Sequence, residues 1–445
     1  MAASEAPLPA FPPVLANRHP EAPRAVDLDK CVHCGLCLNN CPTYRELGVE
    51  MDSPRGRIYQ MVQVATGQME MTPSYLEHLD LCLACRGCES ACPSGVPYGR
   101  LIEAARTEIE ARKAEDRPWH TRAFRRFIFG HLLVSPWMLK TAGALLYIYQ
   151  ASSIQQLIRG SGFLKFFGKM GRIEHLTPRA EIPFFFDKVG KTYPAQGEKR
   201  YRVAFLAGCL ANFTSARLNE ATVRVLQANG CDVVIPGGQT CCGALHVHSG
   251  LKDEARALAR KNIDVCVDAG YDAVITNAAG CGSTLKEYDE LLEHDPLYAE
   301  KARRFCALMK DVTEFLASIE MVAPGRPLAV TATYQDSCHL AHGQKIRSAP
   351  RQVLAVIPGL TFRELPQSDL CCGSAGIYNI VHDEIADSIL QKKMALVNST
   401  GAEVLTTANV GCAIQLQAGV GRYGKGQRVM HVVELLDEAY RRGKA

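Results

Sequence analysis

The sequence predicts a mixed fold: an α-helical N-terminal module followed by an α/β C-terminal half made of two repeated, cysteine-rich units. Three observations carry this reading. Two four-cysteine runs of identical spacing lie between residues 31 and 92, joined by helix-type sequence. Beyond residue 200, short apolar runs alternate with helical stretches, the pattern of parallel α/β units. That alternation occurs twice: Cys209 and Cys338 are 129 positions apart, Cys241 and Cys371 130, and Cys281 and Cys412 131.

Composition bounds the reading. The 445 residues suggest two or three domains and carry 47% apolar residues, ordinary for a globular chain. A net charge of +4 is too mild to argue for nucleic acid, and no nucleic-acid-binding motif accompanies it. The 19 cysteines are the anomaly. A disulfide scaffold is usually short and secreted. Met1 to Arg24 contains six prolines and no apolar core of a secretory signal. A reducing, cytoplasmic compartment and metal ligation are therefore expected. Residues 1–25 read as a disordered leader, 26–110 as the first cysteine module and 111–199 as a basic helical connector. Residues 200–320 and 321–445 read as the two repeats.

In the first module, Cys31-Val-His-Cys34-Gly-Leu-Cys37-Leu-Asn-Asn-Cys41-Pro42 and Cys82-Leu-Ala-Cys85-Arg-Gly-Cys88-Glu-Ser-Ala-Cys92-Pro93 both fit C-x2-C-x2-C-x3-C-P. This is the ferredoxin-type spacing for [4Fe–4S] clusters. Three closely spaced cysteines wrap one face of a cubane, and the fourth ligates the other cluster. Cys31, Cys34, Cys37 and Cys92 are thus expected to hold one cluster, and Cys82, Cys85, Cys88 and Cys41 the other. Zinc is disfavoured because four-cysteine zinc sites use separated pairs. Between the motifs, Ile58, Met61, Val62 and Val64 give approximate helical spacing, with Gly67 as the stop. Residues 101–115 read as a second helix.

Residues 117–173 contain nine Lys or Arg and no Asp or Glu. They also hold Trp119, Trp137, Phe124, Phe127, Phe129, Phe163, Phe166 and Phe167. His131, Pro136 and Lys140 interrupt the apolar stretch, so it falls short of a transmembrane helix. Two readings stay open: a helical linker docked on protein, or a basic amphipathic segment lying on an anionic membrane surface.

In the C-terminal half each repeat offers four cysteines: Cys209, Cys241, Cys242 and Cys281, then Cys338, Cys371, Cys372 and Cys412. Each group follows a strand end, where open α/β sheets place ligands. Cys231, Cys266 and Cys306 have no counterpart and read as core. These repeats resemble the CCG-domain family, which includes heterodisulfide reductase catalytic subunits. They depart from it at Thr284 and Gln415, where the family has a further cysteine. The departure argues against a non-cubane cluster and leaves four thiolates per repeat for a further iron–sulfur cluster or redox duty.

The stretches QDSCHLAHGQKIRSAPRQVL (335–354), DLCCGSAGIYNI (369–380), TANVGCAIQLQAG (407–419) and VMHVVELLDEAY (429–440) resemble the iron–sulfur subunits of glycolate oxidase. The order of modules is similar over about residues 26–440. The resemblance implies electron transfer from FAD on partner flavoprotein subunits, which oxidise glycolate to glyoxylate, toward a membrane acceptor such as a quinone. With the cysteine usage and the basic connector, a cytoplasmic protein, peripheral on the inner face of the membrane, is the expectation. A lactate or glycerol 3-phosphate dehydrogenase complex would use the same architecture, and a heterodisulfide reductase and a non-enzymatic assembly or sensor protein are the other open readings. No acid–base constellation for hydroxy-acid oxidation is recognisable, so catalytic residues stay unassigned. Gly419-Val-Gly421-Arg-Tyr-Gly424 spells G-x-G-x-x-G but precedes a strand-like run, and reads as a flexible loop rather than a nucleotide site. His33, inside a cluster loop, is a candidate for tuning, and His339 and His342 read as hydrogen-bonded histidines.

Overall fold

The computed structural model describes residues 14–15, 18–161, 174 and 177–444. Phe163, Phe166, Phe167, Lys165, Lys169 and Arg172 of the connector lie outside them, as does most of the leader. The chain forms two compact units. One covers the chain to Arg117 together with Val247–Leu251; the other covers Pro118–His246 and Lys252–Ala445.

The first unit is helical. Ser53 caps a helix over Pro54–Ala65 by accepting the Gly56 N–H at 3.0 Å, and Pro54 suits its first turn. Gly67 follows it with φ 73°, a left-handed conformation that costs glycine little. Thr72 caps Pro73–Asp80 in the same way, and a long helix covers Tyr98–Asp116. Ile58, Met61, Tyr75, Leu79, Leu101 and Ile102 meet as the core. The described part of the leader is tied down. The Leu15 N–H donates to the Ala65 carbonyl at 2.9 Å, and Arg18 makes paired bonds to Glu108 at 3.2 and 2.8 Å.

The second unit holds the connector and both repeats. The strands are β1 (Thr192–Tyr193), β2 (Tyr201–Phe205), β3 (Cys231–Val234), β4 (Ala273–Thr276) and β5 (Met309–Asp311). There follow β6 (Val330–Tyr334), β7 (Leu360–Phe362), β8 (Val404–Thr407) and β9 (Arg428–His431). The first sheet has the order β1-β3-β2-β4-β5 and the second β7-β6-β8-β9. Apart from antiparallel β1, every pairing is parallel. The order 3-2-4-5 therefore recurs as 7-6-8-9, and the internal repeat is structural. One apolar core runs through both repeats, from Val203 and Phe205 to Leu340, Val404 and Leu436. Bidentate Arg224–Asp437, at 2.9 and 2.7 Å, ties them at the surface.

One further expectation changes. The flexible loop at 419–424 is instead the end of a helix over Val410–Tyr423. Gly419 is there for packing: a Cβ would sit 2.8 Å from Leu390 Cδ1 and 2.9 Å from Met394 Cγ. The connector is helical over Trp119–Phe127, Pro136–Ala151 and Ser153–Gly160; of these, Pro136–Ala151 docks on protein, burying Leu139 and Gly143. Gly143 lies against Phe213, and Lys140 pairs with Asp187 at 2.6 Å.

Candidate iron–sulfur sites

None of the nineteen cysteines is in a disulfide. In the first unit the two motifs interlock. Cys41, Cys82, Cys85 and Cys88 line one recess, together with Pro42, Arg57 and Tyr98. Cys41 thus leaves its own motif and joins the other. Cys31 in turn feels the charges of Cys92 and Cys34, and Cys37 that of Cys31. Burial pushes the Cys31 thiol up and the Cys37 thiol up to about 11. Among the described residues no three His, Cys, Asp or Glu side chains gather as a single metal ion would require.

The loops around these thiols are held in costly conformations. His33 (φ 53°) and Ala84 (φ 51°) occupy matching positions of the two motifs, as do Gly35 (φ 84°) and Arg86 (φ 61°). The left-handed region costs a non-glycine residue roughly 1–2 kcal/mol. It turns backbone amides inward, and the Ala84 N–H donates to Cys82 Sγ at 3.4 Å. Cys41 Sγ sits 3.2 Å from Thr43 Oγ1, which donates to the Asp52 carbonyl at 2.8 Å.

Arg57 is the residue that sequence reasoning missed. It is fully buried, yet its helix position reads as one more surface cation. Its guanidinium donates to the His78 carbonyl at 2.6 Å, Thr43 Oγ1 at 3.1 Å and Asp52 Oδ1 at 3.4 Å. Burial works against its charge, but Cys82, Tyr98, Cys41 and Asp52 together hold its pKa above the ordinary arginine value. A buried cation beside four thiols is the counter-charge a multiply anionic group needs.

Each repeat gathers its own four cysteines at the C-terminal ends of its strands. Cys209 follows β2 and Cys281 follows β4, flanking the point where strand order reverses. Cys209 Sγ lies 3.4 Å from Cys241 Sγ, and Cys242 hydrogen-bonds both Cys241 and Cys281. Hydrogen bonds from Cys209 and Cys242 make Cys241 the favoured thiolate, its pKa well below the ordinary value. In the second repeat the thiols run from Cys338 through Cys371 and Cys372 to Cys412. The glycine of each Cys-Cys-Gly is a geometric necessity. Gly243 (φ 84°) and Gly373 (φ 88°) are left-handed, and a Cβ would meet Ala255 Cβ at 3.3 Å or the Ala386 carbonyl oxygen at 2.7 Å. Cys231 and Cys266 are core residues, while Cys306 is partly buried.

The histidines play other parts. His342 is buried, 3.0 Å from the Asp369 carbonyl through Nε2 and 3.2 Å from Arg347 through Nδ1. Burial holds its pKa below the ordinary value. His33 lends its carbonyl to Arg55 at 3.1 Å. His246, not singled out by the sequence, lies beside Cys241 and 2.9 Å from the Phe129 carbonyl of the connector.

Comparison with known proteins agrees with this layout. A 4Fe-4S dicluster domain model matches residues 27–96, and a cysteine-rich CCG domain model matches 203–286 and 332–417. A model of the glycolate oxidase iron-sulfur subunit linker region matches 120–177. The probable glycolate oxidase iron-sulfur subunit of Bacillus subtilis is 42% identical, over 93% of this chain and 94% of the relative. The glycolate oxidase iron-sulfur subunit of Escherichia coli is 35% identical, over 94% and 96%. Lactate utilization protein A of Bacillus subtilis is 32% identical over 53% of this chain and 99% of its own. On the strength of near full-length similarity and all three module types in order, this chain belongs to the glycolate oxidase iron–sulfur subunit family.

Proposed function

We propose that this chain is the electron-transfer subunit of a glycolate oxidase complex. In this reading it carries electrons from FAD on partner flavoprotein subunits, where glycolate becomes glyoxylate, toward a quinone-type acceptor in the membrane. Substrate oxidation belongs to those partners. The observation that carries the reading is the crossed thiol set: Cys41 of one motif shares a recess with Cys82, Cys85 and Cys88 of the other.

The residues present suit two [4Fe–4S] clusters. Cys31, Cys34, Cys37 and Cys92 would hold one and Cys41, Cys82, Cys85 and Cys88 the other, in a ferredoxin-type helical module. Bound there, each cluster takes up and passes on one electron at a time. Arg57 supplies a fixed positive charge, the left-handed loops aim amides at the sulfurs, and Tyr98, whose hydroxyl is 3.6 Å from Cys82 Sγ, helps exclude water. The four thiols of each repeat suit a further cluster. Four thiolates crowded together in a buried site repel one another unless a cationic cage binds them.

The connector supports a peripheral membrane position. No single helix among the described residues is long and apolar enough to cross a membrane; the pair Trp119–Leu132 and Pro136–Ala151 meets that test only together, bent by 104°. On Pro136–Ala151, Leu139 and Gly143 are buried while Trp137, Leu145 and Ile148 face outward. Trp119, Trp137 and Leu157 are 75%, 72% and 71% exposed, with Arg122, Arg125, Arg126 and Arg159 nearby in sequence. Exposed aromatics beside cations suit an anionic bilayer surface.

Anaerobic purification of the tagged chain with its native partners, followed by EPR as 2-hydroxy acids are added singly, tests the proposal. Reduction of the clusters by glycolate in the presence of a co-purified flavoprotein supports it. Reduction by lactate or glycerol 3-phosphate, with glycolate inert, moves the chain to another dehydrogenase complex.

A further inference from the structure

The two repeats superpose in topology but not in charge. Gly243 faces Ala255 and Gly373 faces Ala386, so the helices Lys252–Cys266 and Asp383–Thr400 align with an offset of 131. At that offset Asn262 of the first repeat matches Lys393 of the second. Both are buried, and both tie down the loop leading into Cys-Cys-Gly. Asn262 accepts the Thr240 N–H at 2.8 Å and donates to the Cys241 carbonyl at 3.1 Å. Lys393 Nζ donates to the carbonyls of Gln367 at 2.8 Å and Ser368 at 3.2 Å. One repeat therefore has a neutral amide where the other has an ammonium. Burial draws that ammonium down to about 8, with Cys372 and Cys371 opposing, so it is mostly charged at neutral pH. The carboxylates nearby have cations of their own: Asp336 is bonded by Arg351 at 2.8 Å and Asp369 by Arg347 at 3.1 Å.

The two cysteine sets also adjoin. Asn409 donates from Nδ2 to Cys412 Sγ at 3.3 Å and accepts at Oδ1 from the N–H of Gly280, the neighbour of Cys281, at 3.1 Å. A single side chain thus spans from one set to the edge of the other. The position matching Asn409 in the first repeat is Ala278, which makes no such bridge.

We infer that Lys393 makes the second repeat the electron-retaining member of the pair. This rests on the proposal above that each repeat holds an iron–sulfur group. A group on four thiolates becomes more negative on reduction, and a buried cation favours that more negative state. One electron leaves the group at Cys209, Cys241, Cys242 and Cys281 and the same electron arrives at Cys338, Cys371, Cys372 and Cys412; no bond forms or breaks and no proton moves. Lys393 is a positioning residue that sets the direction of this exchange.

The test is a mediated EPR redox titration of the full chain, purified anaerobically, as wild type, Lys393→Gln and Lys393→Arg, with iron counted in each. Cys412→Ser identifies the signal that belongs to the second repeat. Glutamine keeps an N–H donor for the two carbonyls but removes the charge. At the wild-type midpoint, the ratio of reduced to oxidised second-repeat group is expected to fall about tenfold in Lys393→Gln, which is ~59 mV for a one-electron couple. Lys393→Arg should retain the wild-type midpoint. An unmoved Cys412-dependent signal in Lys393→Gln with full iron overturns this inference and leaves the cluster reading standing. A shift as large in Lys393→Arg assigns the residue a merely structural role and overturns it too. Absence of any Cys412-dependent signal in the wild type overturns both. If Lys393→Gln loses iron, the reciprocal Asn262→Lys decides: a Cys281-dependent signal that becomes about tenfold easier to reduce supports the inference, and an unmoved one overturns it.

Discussion

Replacing Arg57 with Gln removes the buried cation that lines the recess with Cys41, Cys82, Cys85 and Cys88. Taking a separation on the order of 7 Å and an effective dielectric of ~20, a unit charge lining such a site would be worth about 2.4 kcal/mol. For a one-electron couple that is about 100 mV. The sign follows from charge: the guanidinium favours the more negative reduced state, so its loss lowers the midpoint. Asp52 reinforces the direction, because Arg57→Gln takes the guanidinium from that buried carboxylate and leaves His78, 2.9 Å away, as its hydrogen-bond partner. The change also costs stability, about 3–5 kcal/mol for breaking a buried pair by removing one partner. The assay is a mediated redox titration followed by EPR, with Cys41→Ser marking the signal and Arg57→Lys as the charge-retaining control. A Cys41-dependent midpoint that falls by about 100 mV in Arg57→Gln and by much less in Arg57→Lys fits the electrostatic account. A midpoint that stays put or rises in Arg57→Gln, with iron content intact, refutes it.

Other perturbations probe separate parts of the molecule. Asp311 is fully buried, its pKa raised by burial to about 6, and its Oδ2 has no hydrogen-bond partner. The unfolded value is about 3.9, so the folded state holds the proton more tightly and stability from this group is lost as pH rises from about 4 to 6. Asp311→Asn keeps an oxygen for the Thr313 N–H and should stabilise the protein by about 3 kcal/mol at pH 7 and about half that at pH 5; a urea-unfolding difference that does not grow with pH contradicts this. Gly373→Ala drives a Cβ to 2.7 Å from the Ala386 carbonyl oxygen and should strip the second repeat of its iron while the first module keeps its EPR signals; full iron retention contradicts the geometric role given to that glycine. Trp119→Ser combined with Trp137→Ser should weaken binding of the complex to anionic vesicles about tenfold or more, with co-purification of partners unchanged. Equal vesicle binding with lost partners would assign the exposed face to a protein subunit instead.

Much of this architecture is legible in the residues because its signals are local and periodic. The helix carrying Ile58, Met61, Val62 and Val64 and the strands preceding Cys209, Cys281, Cys338 and Cys412 all follow from spacing. So does the repeat itself. What escaped notice depends on tertiary contact. Arg57 and Lys393 look like ordinary helix-surface cations, since nothing local separates a solvated face from one turned into a thiol-lined recess. Gly419 and Gly421 read as a loop because they stand just before a strand-like run; close packing of Gly419 on Leu390 and Met394 seats them in a helix instead. β5, at Met309–Asp311, is three residues long, too short to carry a periodic signal, yet it completes the sheet beside β4. The connector's amphipathic composition was readable, whereas its docking through Gly143 on Phe213 was not.

The central claim is that the crossed cysteine sets hold clusters, and counting iron and acid-labile sulfide in the anaerobically purified chain tests it most directly. At least about eight of each per chain are expected, with about twelve to sixteen if the repeats are loaded as well. Cys41→Ser should remove about four iron and leave the cluster of Cys31, Cys34, Cys37 and Cys92 intact by EPR. A wild-type count near four, or loss in Cys41→Ser of the signal that depends on Cys31, contradicts the account.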